Sequence, residues 1–237
     1  MLIVGLTGGI ATGKSTVSRE LSLVHGVPVV DADLLAREVV RPGTGGYRAI
    51  LKHFSDVEDL VAENGELNRA ALGRSVFGNK ERLAVLNSIV HPAVRKAIFW
   101  RLFKAYISGS FMVVLDVPLL FEAGLYQICG KTVTVSCSEE VQIRRLLSRN
   151  PELTEQDAAN RIASQMSNQE RNYRADVVID NSGELDELKK AVASVVREIR
   201  PLTVMSVLDL IPPIGLLSAI YTYMVRFAGD YYKRKRL

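Results

Sequence analysis

A chain of 237 residues with 48% hydrophobic content suits one substantial domain plus an appendage, and excludes disorder as the main state. Its net charge of +4 is uneven: residues 201–237 hold Arg226, Lys233, Arg234, Lys235 and Arg236 against Asp209 and Asp230, which leaves a body close to neutral. That balance argues against a broad nucleic-acid surface, and two cysteines, Cys129 and Cys137, give neither a disulfide framework nor metal-ligand spacing.

The cysteines read as apolar fillers in a reducing compartment. The N-terminus has no basic region ahead of its apolar run, so Leu2–Leu6 reads as a first strand and not as a secretory signal. Lys14–His25 carries Val17, Leu21 and Val24 at helical spacing and stops at Gly26. Val27–Val30 reads as a second strand that ends in Asp31-Ala32-Asp33. Met112–Val117 is the third, closed by Pro118, and Thr132–Cys137 the fourth. Asp176–Ile179 is the fifth, followed by the turn Asp180-Asn181-Ser182-Gly183. Helical patterns fill Leu34–Val40, Ala70–Phe77, Lys80–Ile107, Glu139–Arg149, the stretch from Glu155 to the fifth strand, and Leu185–Arg200. Apolar strands separated by helices predict an α/β fold with a five-stranded parallel sheet and helices on both faces. Pro201 marks a change to a mostly apolar segment with a basic end, so the domain is drawn at 1–200 and the tail at 201–237.

Between the first strand and the helix that follows lies Gly8-Gly9-Ile10-Ala11-Thr12-Gly13-Lys14-Ser15, which satisfies G-x-x-x-x-G-K-[ST] at every fixed position. A triphosphate needs several backbone N–H groups turned inward, and the glycines permit the angles this requires. The helix N-terminus adds its dipole, Lys14 reaches the β- and γ-phosphates, and the Ser15 hydroxyl is a ligand for Mg²⁺. The strand–loop–helix context is the one this motif demands, and it predicts a P-loop NTPase fold that binds ATP.

A phosphate loop does not name the acceptor. Asp31 and Asp33 stand at the end of the second strand, where open α/β sheets bind ligands. On an extended segment, residues i and i+2 point the same way; if the intervening turn breaks the pleat, only one faces in. Asp33 is the candidate base for an acceptor hydroxyl, with Asp31 as a backbone cap; the plain alternative has both capping a helix from Leu34. Arg144, Arg145 and Arg149 share one predicted helix, with Arg161 beyond the turn. Arg145 and Arg149 lie on one face, as a lid over about 139–166 requires if its guanidinium groups are to meet the transferring phosphoryl oxygens. Alternatively these arginines pair with Glu139, Glu140, Glu152 and Glu155 on a solvated face.

Taken together, these residues resemble the dephospho-coenzyme A kinase family over Gly5 to about Arg200. The resemblance rests on Gly5–Thr16, Val30–Asp33, Leu67-Asn68-Arg69, His91-Pro92, Asp116–Glu122, Arg149, Gln165 and Ala175–Asn181. It implies ATP-dependent phosphorylation of the ribose 3′-hydroxyl of dephospho-CoA, with an acceptor-binding helical region and a lid. By position it implies that Gly8, Gly9, Ile10, Ala11, Thr12, Gly13, Lys14, Ser15 and Thr16 bind ATP. Asn181 would lie near the adenine, Asp33 would face the ribose hydroxyl, and Arg145 and Arg149 would sit in the lid. Thr7, His91, Leu119 and Leu120 would shape the acceptor pocket. His91 also reads as a simple cap for a helix opening at Pro92, and Asp116 stays outside the catalytic set. Another P-loop kinase acting on a nucleotide is the first alternative. A nucleotide-dependent scaffold is the second; a GTPase of that kind usually carries Asn-Lys-x-Asp for guanine, and the nearest match here, Asn79-Lys80-Glu81-Arg82, fails at its fourth position.

The tail extends past the compact family pattern. Leu210–Val225 is uncharged and bounded by Asp209 and Arg226, short of the roughly 20 apolar residues a full span needs. Pro212-Pro213 suits a helix start, after which Ile214, Leu217, Tyr221, Met224 and Phe227 or Ala228 form one apolar stripe. The expectation is a membrane-surface contact: Tyr221, Tyr223, Tyr231 and Tyr232 at headgroup level, Arg226 snorkelling, and Lys233–Arg236 on anionic lipid. The opposing expectation is that the stripe packs on the body. The implied location is cytoplasmic, with the tail on the cytosolic face of the endoplasmic reticulum or mitochondrial membrane, and other coenzyme A pathway enzymes are further candidate partners.

Overall fold

The computed structural model describes residues 1–234, with side chains for all but 205 and 230–234. The expected lipid contacts at Tyr231, Tyr232 and Lys233–Arg236 lie outside the described side chains. Five strands, β1 (Leu2–Gly8), β2 (Val29–Asp31), β3 (Met112–Asp116), β4 (Lys131–Ser136) and β5 (Val177–Asp180), form one all-parallel sheet ordered β2-β3-β1-β4-β5. The registers pair Leu6 with Asp116 and Thr7 with Thr134. Helices cover both faces, so even Thr132 and Thr134 are fully buried on β4. On one face Val17 and Leu21 of α1 (Lys14–Leu23) meet Val4, Leu6 and Val135. Leu188, Val192, Val196 and Ile199 of α9 (Leu185–Ile199) recur at helical spacing and join the same core. Gly5 is needed on β1 because a Cβ there would meet Leu120 at 2.7 Å and the Cys129 sulfur at 2.8 Å. Burial pushes the Cys129 thiol up to about 12, which makes it an inert filler.

The chain divides into two compact units, 1–30 with 105–237, and 31–104. The second has its own core of Ile50, Phe54, Leu60, Leu67, Leu72 and Val76. It is built from α2 (Ala32–Glu38), α3 (Gly45–His53), α4 (Arg69–Val76) and most of α5 (Lys80–Ile107). Two readings of the sequence are corrected here, and one helix was not foreseen. Helix α2 starts at Ala32, not Leu34: Asp31 is its N-cap, the role expected of it, accepting from Leu34 N–H at 3.0 Å, so Asp31 and Asp33 do not share an extended face. His91 and Pro92 lie inside α5, so His91 caps nothing. The helix not foreseen is α3, which opens among the turn-forming residues Gly43-Thr44-Gly45-Gly46; Thr44 caps it by accepting from Tyr47 N–H at 3.1 Å.

In the first unit α6 (Glu139–Arg149) follows β4. The stretch after Glu155 is two helices, α7 (Glu155–Ala163) and α8 (Asn168–Arg174). Each has its own start signal, a Thr154–Asp157 capping box and a Ser167 cap that accepts from Glu170 N–H.

The tail forms α10 (Thr203–Asp209) and α11 (Pro212–Arg234). Asp209 pairs with the N-terminal ammonium at 2.9 Å, and Tyr106 donates to the Asp209 and Leu210 carbonyls. Arg226 does not snorkel outward. It donates to the carbonyls of Cys129 at 3.0 Å and Gly130 at 2.8 Å, and forms an ion pair with Asp176. These groups precede β4 and β5, so the clamp sits at the amino edge of the sheet. Ile214, Leu217, Tyr221, Met224 and Phe227 stay exposed, and no described helix is long and apolar enough to cross a membrane.

Candidate active site

The carboxyl edge of the sheet gathers the turn after β1, the end of β3 and the residue after β5. That turn, 8–15, puts Ala11 at φ 59° and Gly13 at φ 91°, both in the left-handed region. Gly13 needs its missing Cβ twice over, since a Cβ would also stand 2.1 Å from Asn181 Nδ2. Thr12 is fully buried and closes the loop by donating to the Gly9 carbonyl at 2.9 Å. Asn181 Nδ2 donates to the Thr12 carbonyl at 2.7 Å, tying β5 to the loop. Gly13 is the N-cap of α1 and supplies no side-chain cap, which leaves amides of the first turn to a ligand. Ser15 and Thr16 are exposed on that turn.

Lys14 is held in an ion pair by Asp116, the last residue of β3, which is 3% exposed. The sequence left Asp116 uncommitted; the β1–β3 register is what brings it to the loop. Thr7 is fully buried and donates to the Pro118 carbonyl at 2.7 Å, so it fixes the segment after β3. Leu119 is exposed, while Leu120 is wholly buried against Gly5 and belongs to the core.

Behind the loop lies a polar layer that the sequence did not single out, Gln165 apart. Gln142 of α6 donates to the Ile10 carbonyl at 2.7 Å, and Gln165 accepts from Ile10 N–H at 2.9 Å. Asn168 donates to Gln142 at 2.6 Å and accepts from Arg171 at 3.1 Å. Burial pulls the Arg171 guanidinium below its ordinary range, with Glu122 and Glu170 opposing.

Arg145 of α6 lies 4.0 Å from the place of a Gly13 Cβ, and its Nη1 is buried with no hydrogen-bond partner among the described residues. A buried, unmatched guanidinium nitrogen beside uncapped amides fits a polyphosphate. Burial raises the nearby Cys137 thiol while Arg145 lowers it. Arg149 and Arg161 are exposed.

Asp33 and His91 belong to the 31–104 unit. Asp33 is exposed in the first turn of α2 and lines a cavity of about 330 Å³ with Arg37 and Arg69 over Val40, Leu72 and Val90. His91 is exposed on α5.

Comparison with known proteins agrees with this geometry. A family model described as CoaE, dephospho-CoA kinase, matches residues 2–187. The dephospho-CoA kinase CAB5 of Saccharomyces cerevisiae is 51% identical over 227 residues, covering 95% of this chain and 94% of its own. Among solved structures, TT1252 from Thermus thermophilus aligns with TM-score 0.65 and 33% identity, over 84% of this chain and 98% of its own. The dephospho-CoA kinase from Campylobacter jejuni aligns with TM-score 0.65 and 26% identity, over 84% of this chain and 96% of its own. With its phosphate loop, its five-stranded sheet and a match spanning most of its length, the chain belongs to the dephospho-CoA kinase family.

Proposed function

We propose that this chain transfers the γ-phosphoryl group of ATP to the ribose 3′-hydroxyl of dephospho-CoA, giving coenzyme A and ADP in the last step of coenzyme A synthesis. The observation that carries the reading is the donor set at the loop. Lys14 is held by Asp116, α1 opens without a side-chain cap, and Arg145 carries a buried unmatched nitrogen. In this reading residues 8–16 hold the triphosphate, Asn181 lies on the adenine side, and Lys14 spans the β- and γ-phosphates. Arg145 and Arg149 close over the phosphoryl group as charge spreads over its oxygens. The Ser15 hydroxyl would hold Mg²⁺, which neutralises phosphate charge when bound.

On the acceptor side Asp33 takes the proton of the 3′-hydroxyl as its oxygen attacks the γ-phosphorus. The bond from γ-phosphorus to the β–γ bridging oxygen breaks, and ADP leaves with that electron pair. The cavity beside Asp33 supports this, because Arg37 and Arg69 suit the acceptor's own phosphates and its apolar floor suits a base or pantetheine arm. His91 and Leu119 offer exposed surface to the acceptor; Thr7 and Leu120 act from beneath, through the backbone they hold.

The domain reading is residues 1–200 as the kinase, with its lid at 139–166, and 201–237 as a tail that meets a membrane surface from the cytosolic side. The exposed stripe on α11 supports the last point. Leu217→Glu with Tyr221→Glu should release the protein from sedimenting membranes; unchanged partition would refute that contact. For the reaction itself, an ATP-coupled assay offers dephospho-CoA, AMP and adenosine in turn. Turnover with dephospho-CoA alone is expected. Equal turnover with AMP would make the chain a nucleotide kinase of another kind.

A further inference from the structure

We infer that Gln142, Gln165, Asn168 and Arg171 act as positioning residues, a brace that grips the two peptides flanking Ile10 and so sets the direction of the ATP-facing amides. The inference rests on the proposed nucleotide site. Ile10 is followed by Ala11 at φ 59°, a conformation an alanine rarely adopts unless its surroundings impose it. The surroundings here are specific. The Ile10–Ala11 peptide has its carbonyl taken by Gln142 at 2.7 Å, and the Gly9–Ile10 peptide has its N–H taken by Gln165 at 2.9 Å, so neither peptide flanking Ile10 can turn over without breaking its bond. The Gln142 carboxamide is in turn oriented by Asn168, which donates to its oxygen at 2.6 Å and to the Cys137 carbonyl at 3.1 Å. Arg171 donates to Asn168 at 3.1 Å and to the Met166 carbonyl at 2.8 Å, fixing which way the Asn168 amide faces.

Gln142 and Arg171 are each 1% exposed, and burying a guanidinium is costly, so the layer is built for more than covering a helix. It also accounts for Gly9: a Cβ there would stand 3.1 Å from Arg171 Nη1, Asn168 Oδ1 and Gln142 Nε2 alike. The elements of the brace come from α6, α8 and the turn joining α7 to α8. The four side chains bond to the loop backbone or to one another, so they act through the loop. Where only a fraction of molecules hold the loop in its binding form, apparent nucleotide affinity falls by that fraction. Once ATP saturates and imposes the form, turnover recovers.

The test is Gln165→Leu, Gln142→Met and the double variant. ADP affinity is measured by calorimetry, and kcat and KM by steady-state assay. Each single variant should weaken ADP binding and raise the ATP KM by roughly 3–10-fold, the worth of one hydrogen bond. The kcat at saturating ATP and the acceptor KM should stay within about two-fold of wild type, a split that simple loss of stability does not produce. Because the two bonds hold adjacent peptides on either side of the one residue Ile10, their effects are coupled through its backbone, and the double variant should lose clearly less than the product of the two single losses. Unchanged ADP affinity in both single variants, or multiplicative losses in the double, would overturn the brace. The binding measurement needs no acceptor. A wild-type protein that binds ADP but leaves dephospho-CoA untouched would therefore refute the proposed reaction alone.

Discussion

Replacing Arg226 by alanine tests whether the tail is built into the enzyme. The side chain makes two bonds to backbone carbonyls and a two-pronged pair with Asp176. Buried hydrogen bonds to a charged group contribute about 1.5–3 kcal/mol, whereas exposed ion pairs give about 0–1. Arg226 and Asp176 are 19% and 26% exposed, so the site lies between these limits. Asp176 keeps its bonds from the Thr132 N–H at 2.7 Å and hydroxyl at 2.9 Å after the substitution, so it is not left bare. A net loss of about 2 kcal/mol follows, below the roughly 3–5 of a fully buried broken pair. For a chain of this size that lowers Tm by about 4–8 °C. The loss depends on pH. Burial alone raises the Asp176 pKa, but the bonds from Arg226 and Thr132 outweigh it and hold the carboxyl below its ordinary value. A lowered folded-state pKa gives stability that is present above the unfolded value and is lost as pH falls through the folded one. The gap between wild type and variant should therefore be full at pH 7 and shrink below about pH 4. The assay is thermal unfolding by circular dichroism across that range, with kcat measured beside it. The clamp sits at the amino edge of the sheet, so kcat should not change. A Tm within about 1 °C of wild type at pH 7 would refute the claim that Arg226 anchors α11.

Gly13→Ala should abolish nucleotide binding while the protein still folds, because the new Cβ meets Asn181 at a φ of 91°; ADP titration checks this, and near-normal affinity would contradict the loop geometry. Lys14→Ala should cut transfer by roughly 10²–10³-fold with the fold intact, as expected for a lost charge contact to the phosphoryl group. Arg149→Lys should lose turnover because a point charge replaces a planar fork; wild-type kcat would move that role to Arg145 or Arg161.

The sheet and the phosphate loop were legible because their signals are local. Apolar strands, a glycine turn and a following helix sit within a dozen residues of one another. The acceptor carboxylates were less so: Asp31-Ala32-Asp33 looks extended until Asp31 is seen capping α2, which makes Asp33 a first-turn helical residue. Helix α3 was masked by four turn-forming residues whose threonine is its cap. The layer behind the loop joins Gln142, Asn168 and Arg171 to a peptide more than a hundred residues away, and polar residues on helices carry no signal of such a partner. Arg226 was misplaced for the same reason, since a lone arginine in an apolar helix gives no hint that two carbonyls and Asp176 await it.

The ribose hydroxyl at which phosphate arrives decides the reaction. Wild-type protein, ATP, Mg²⁺ and dephospho-CoA are incubated together, and the product is examined by phosphorus and proton NMR. The expected product is a new phosphomonoester coupled to the ribose 3′ proton, formed in step with ADP, with formation slowed far more than ATP binding by Asp33→Asn. ADP release without a ribose phosphate, or a phosphate on any other hydroxyl, would contradict it.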